Sequence, residues 1–152
     1  MIDKELAAFL EEGISIQLGT RNAALEPNGV RVSAVTVESD GSHVIAYVPK
    51  VSAAQVLPDL EANGQAALVF ARPIDDRACQ VKGVFAGSRA ATRAERALVA
   101  RQWEQFLAYL DAIGLRRVAV DGWISWPCVA IRVRVAALFN QTPGPGAGAA
   151  IP

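Results

Sequence analysis

The residues able to hold a ligand fall in three short stretches. Arg31-Val32-Ser33 opens an alternating apolar and polar run, and Tyr47-Val48-Pro49-Lys50-Val51-Ser52 carries the chain from a second such run into a helical pattern. Gln80 and Lys82 lie on a third run, just past Asp75-Asp76. A helix start beside Lys50 and Arg31 offers amide N–H groups, the positive end of a helix dipole and one or two cations. That is the field a phosphate monoester requires. Plainer readings exist for each residue: Arg31 and Gln80 as solvent-facing strand positions, Lys50 as a solvated loop lysine.

Other chemistries lack their parts. His43 is the single histidine, and Cys79 and Cys128 are far apart with no CxxC spacing, so no Cys/His zinc site can be assembled. No GxSxG accompanies His43, which removes a Ser-His-Asp hydrolase; following Asp40-Gly41-Ser42, His43 reads as a strand-start residue. Paired carboxylates are missing, because Asp75-Asp76 sits in a turn. The Gly144/Gly146/Gly148 run has no helix after it, so a dinucleotide fingerprint fails its context. No metal site and no catalytic side chain is singled out.

Lys and Arg total 15 and so do Asp and Glu, which argues against a polyanion binder working by bulk charge. An oligonucleotide-binding barrel remains a third-ranked reading, since Arg116-Arg117 and Arg132/Arg134 have no interleaved aromatics. Zero net charge does not oppose self-association. Acidic and basic residues interrupt the N-terminus and no long apolar run occurs, so a soluble, cytoplasmic protein with no membrane partner is expected.

Positioning falls to short strands. Residues 3–12 form an amphipathic helix capped by Asp3. Ile14, Ile16 and Leu18 alternate with polar residues, and 30–38 and 44–48 pair around Asp40-Gly41. Ser52 is expected to cap a helical stretch that Pro58 breaks or restarts and Asn63-Gly64 ends. Residues 66–72 and 79–89 read as strands, the second carrying a bulge or close approach at Gly83 and Gly87. Thr92-Arg93-Ala94-Glu95 is a capping box for a helix reaching about Ala112; 117–125 and 128–138 read as the last strands. Trp123 and Trp126 read as core or dimer contacts. The whole is mainly β, with α+β character: a small antiparallel barrel decorated by helices, as one domain over 1–139 and an irregular Pro/Gly-rich tail over 140–152.

The chain resembles the pyridoxamine 5′-phosphate oxidase-like, FMN-binding split β-barrels from roughly Leu6 to Gly148. Arg31-Val-Ser-Ala-Val-Thr36 resembles the first flavin strand, and Tyr47 to Gln55 the strand–loop–helix phosphate segment. Leu60 to Phe70 is similar to the stretch that follows, Gln80-Val-Lys-Gly83 to the strand whose glutamine meets the flavin, and Phe139 to Gly146 to the tail of small members.

The resemblance implies a six-stranded antiparallel split barrel with flanking helices, forming a homodimer with FMN in a cleft between protomers. Arg31, Val32, Ser33 and Ala34 would lie along the phosphate and ribityl chain. Tyr47 and Val48 would touch the ring or ribityl through their backbone, Lys50 and Ser52 would meet the phosphate, and Gln80 would bond the polar edge of the ring. The flavin would do the electron chemistry, with NAD(P)H as a possible donor. Two departures speak against pyridoxamine 5′-phosphate oxidation itself. Ala53-Ala54 stands where the vitamin-forming oxidases carry an Arg-Lys pair, and the tail lacks their tryptophan and arginine. The competing reading is a non-catalytic flavin- or haem-binding, sensing or storage protein. For haem, His43 is the candidate ligand.

Overall fold

The computed structural model describes residues 1–152. Helix α1 spans Lys4–Leu10, α2 Lys50–Asn63 and α3 Arg96–Ala112. The strands are β1 Ser15–Arg21, β2 Pro27–Arg31, β3 Ala34–Val37, β4 His43–Pro49, β5 Gln65–Ala71, β6 Ala78–Ala90, β7 Cys128–Asn140 and β8 Ala150–Ile151. All pairings are antiparallel, in the order β2-β1-β5-β6-β7-β4-β3, with β8 added to β7.

Sequence neighbours β2 and β3 therefore stand at opposite ends of that order, and the two residues between them close the barrel. Val32 N–H donates to Ile16 of β1 at 3.0 Å, whereas Ser33 N–H donates to Tyr47 of β4 at 2.8 Å. The run expected as one strand over 30–38 is thus one strand bent where it changes partner, so the barrel has six walls. Its interior is filled by alternate residues such as Leu18, Val30, Val32, Leu68, Phe70, Val81 and Ile131. Each such side chain removed from water contributes about 1.5–3 kcal/mol.

Several local expectations change. Helix α2 begins at Lys50 and runs unbroken through Pro58, so Ser52 is its third residue rather than its cap. The carbonyl that Pro58 cannot bond belongs to Ala54, which is exposed, so water can satisfy it. The strand expected over 117–125 is absent: Arg117–Val120 forms a 3-10 turn and a loop leads to Pro127. The adjoining part of β7, Cys128–Arg134, has β4 on one edge and β6 on the other, so the segment before it finds no edge there to join. The tail folds back as β8 on Leu138 and Phe139, after a turn in which Asn140 exchanges backbone hydrogen bonds with Gly148 and Ala149.

Gly83 and Gly87 mark the two register shifts of β6 against β7. A Cβ at Gly83 would lie 2.4 Å from the Arg134 carbonyl oxygen, and Gly87 has φ +114. Gly83→Ala is expected to cost about 1–3 kcal/mol through forced separation of the two strands, read as a lower denaturant midpoint with an unchanged slope.

The edge of β3 not paired to β4 is closed by α3. The Gln102 carboxamide accepts from Val35 N–H at 3.0 Å and donates to Val35 C=O at 2.8 Å, in the manner of a missing strand. The Thr92 capping box forms with both of its bonds, and no helix is long and apolar enough to cross a membrane.

Candidate functional site

The bend between β2 and β3 places Arg31 on the outer face of the barrel, because its neighbours Val30 and Val32 face inward. Pro49 ends β4 beside it, and α2 starts there. Lys50 N–H donates to the Pro127 carbonyl at 2.8 Å, which leaves the N–H groups of Val51 and Ser52 at an open helix terminus. No side chain caps that terminus and its first turn holds no acidic residue, so the positive end of the dipole is unneutralised.

Arg31, Pro49, Val51, Ser52, Gly122, Trp123 and Ile124 enclose a cleft of about 250 Å³. Arg31 pairs with no carboxylate, and burial without compensation pulls its guanidinium below the ordinary arginine value. Two buried side-chain polar atoms in the protein have no hydrogen-bond partner: Arg31 Nη1 and Ser33 Oγ. They sit two residues apart on the same bent strand. Cys128 Sγ lies near Ser33 but donates instead to the Ser125 carbonyl at 3.0 Å.

The other residues expected at a site distribute around this centre. Val32 is in the barrel core. Ala34 and Tyr47 are paired across β3 and β4 and share a buried cluster with Val99 of α3. The Tyr47 hydroxyl donates to Glu95 at 2.9 Å and its carbonyl is held by Ser33. Val48 is fully buried in the core, and the Lys50 ammonium is exposed. Gln80 is remote along the chain but shares a transverse row with Arg31: Arg31 pairs with Gln17, Gln17 with Val69 and Val69 with Gln80. All four point outward. Three strand spacings separate the end members, roughly 14 Å along the sheet. Phe139 continues the row, with Lys82 Nζ 4.9 Å above its ring.

Sequence reasoning missed the part played by the connection between α3 and β7. Trp123 lies over Arg31, ring centroid to Cζ 4.1 Å, and Phe106 of α3 lies 5.3 Å from the same atom. Nothing in the local pattern at 122–124 announces this contact.

Two charged clusters outside the cleft have internal partners. Glu95 accepts from both Arg89 nitrogens, from Tyr47 and from Thr92, and Arg89 foremost holds its carboxyl far below the usual range. A group so depressed stabilises the fold above its unfolded value of 4.5, and that contribution is lost as pH falls toward the folded value. Glu95→Gln is expected to flatten the acid side of the curve of melting temperature against pH; an unchanged acid slope would show that Glu95 does not set it. At the far end of β4, His43 Nδ1 lies 2.7 Å from Ser42 Oγ and 3.2 Å from Glu38, and Arg132 binds both Glu38 oxygens. Burial pushes the thiols of Cys79 and Cys128 up to about 11, so neither is a thiolate at neutral pH.

No protein-family model and no curated protein matches the sequence. Solved structures match in shape. HupZ of Group A Streptococcus is 17% identical with a TM-score of 0.59, over 97% of this chain and 100% of that one. An F420 reductase is 16% identical with a TM-score of 0.58, over 86% of this chain and 93% of that one. A pyridoxamine 5′-phosphate oxidase candidate from Lactobacillus delbrueckii is 14% identical with a TM-score of 0.55, over 90% and 92%. At these identities the likeness is one of fold.

Proposed function

We propose that this chain, which has the split β-barrel fold of pyridoxamine 5′-phosphate oxidase-like, FMN-binding proteins, binds FMN at a cleft between two copies of itself and serves as an FMN-dependent oxidoreductase. The observation that carries this reading is the orphaned Arg31 guanidinium facing the same cleft as the uncapped N-terminus of α2, with the second orphaned atom, Ser33 Oγ, two residues further along the strand. An unpaired, half-buried cation is costly unless an anion completes it. A phosphate monoester would accept from Arg31, Ser52 and the free amides of the first turn, while Ser33 would donate to the phosphate or the first ribityl oxygen.

The outer row then sets the direction. A ligand gripped by its phosphate at Arg31 and extending across Gln17 and Val69 brings its far end to Gln80, whose amide can donate and accept at a polar ring edge. Bound FMN supplies hydride and single-electron transfer, with a reduced nicotinamide as the donor class. This chain orients it and, through the apolar residues of that face, excludes water from it. Val69 and Val84 are 36% and 40% exposed on this face, apolar surface that a second protomer would cover.

The test is reconstitution. The purified chain with excess FMN should quench flavin fluorescence and sediment as a dimer with bound flavin absorbance; absence of any FMN binding sinks the proposal. Haem is the rival guest. The Nδ1 of His43 is already engaged by Ser42 and Glu38, which leaves Nε2 for iron. Haem retained by His43→Ala would remove imidazole ligation, whereas bound flavin that NAD(P)H reduces without turnover of any acceptor would favour the sensing or storage reading.

A further inference from the structure

We propose that Trp123 is a positioning residue of the phosphate subsite: lying over the Arg31 guanidinium carbon, it fixes which edge of that cation faces the cleft. The inference rests on the phosphate reading above and adds a residue that no element of the β2–α2 site contains.

A strand arginine on an outer face ordinarily samples many rotamers, with about 2 kcal/mol of side-chain entropy to lose on binding. Arg31 has neither a hydrogen bond nor an ion pair to hold it. What holds it is aromatic: Trp123 at 4.1 Å and Phe106 at 5.3 Å from Cζ. The two rings are themselves nearly parallel, 12° apart with centroids 6.2 Å apart, and Trp103 packs against both at 5.6 and 6.4 Å. The stack is therefore rooted in α3, a long helix, and reaches the cleft through a loop. Stacking engages the flat face of a guanidinium, whereas its N–H donors point outward in the plane. The two interactions use different directions, so a ring can immobilise the cation while its donor edge stays available to phosphate oxygens. Trp123 is still 37% exposed and forms one wall of the cleft.

The experiment compares dissociation constants for FMN and for riboflavin, which lacks the phosphate, by titrated flavin fluorescence on the full chain. The wild type should prefer FMN. Trp123→Ala should weaken FMN binding about fivefold and leave riboflavin unchanged, in line with a partly desolvated cation–aromatic contact. Trp123→Leu keeps apolar bulk and should behave as the alanine variant, whereas Trp123→Phe should restore most of the preference. Val118→Ala, in the same connection but 70% exposed, should change neither constant. In an Arg31→Ala background the Trp123→Ala change should add nothing, because the two residues act as one unit. If the wild type prefers FMN but the folded Trp123 variants lose both ligands equally, or lose neither, the positioning role is overturned while the phosphate site stands. A wild type with no preference for FMN overturns both.

Discussion

Replacing Arg31 with alanine is expected to weaken FMN binding by about ten- to a hundredfold, the equivalent of one or two charge-assisted hydrogen bonds. Riboflavin should be affected far less. Arg31→Lys should fall between, since a lysine keeps the charge but not the planar fork or the stack on Trp123. The ligand-free protein should respond in the opposite sense. Arg31 is half-buried without a carboxylate, so Arg31→Met should leave the melting temperature of the free chain unchanged or raise it. FMN at one fixed concentration should then raise the melting temperature of the wild type more than that of the variant, because stabilisation follows the affinity of the folded state. A thermal shift by FMN as large in Arg31→Met as in the wild type would place the phosphate elsewhere. This pairing of outcomes separates a binding residue from a structural one, for which the free protein would lose stability.

Gln102→Leu is expected to cost about 2–6 kcal/mol, from two buried backbone groups of Val35 left without partners, at about 1–3 kcal/mol each. Leucine matches the volume, so a cavity does not explain the loss. For a chain of this length the melting temperature should fall by roughly 4–24 °C. Gln102→Glu should also destabilise, because its carboxylate can accept from Val35 N–H but cannot donate to Val35 C=O. The consequence extends beyond stability. β3 is an end strand of the sheet, and its outer edge is available for pairing with another chain once Gln102 is gone. Aggregation on refolding should accompany the loss of stability; a variant that melts and refolds like the wild type would show that Gln102 is dispensable.

The elements most legible in the sequence are those written in short-range chemistry. Alternation in 14–18, the apolar run at 66–72, the capping box at Thr92 and the glycines at 83 and 87 each state a local backbone requirement, and the structure meets each. The strand expected at 117–125 failed for a non-local reason: the part of β7 that follows it already has β4 and β6 on its two edges. Ser52 lost its capping role because Pro49, with its fixed φ and the hydrogen bond from Lys50 to Pro127, starts the helix earlier.

The amino-acid order by itself determined that an arginine, a serine and a helix start would be near one another in the chain, and that strands would carry them. It did so because spacing along a strand and at a helix entrance is a matter of a few residues. Only the tertiary structure decided that the strand bends between Val32 and Ser33, that Gln80 enters the row of Arg31 from three strands away, and that Trp123 covers the cation. Those placements depend on barrel closure and on a loop returning from α3. Placements that relate residues 49 and 92 positions apart in the chain leave no periodic mark in the sequence around either partner.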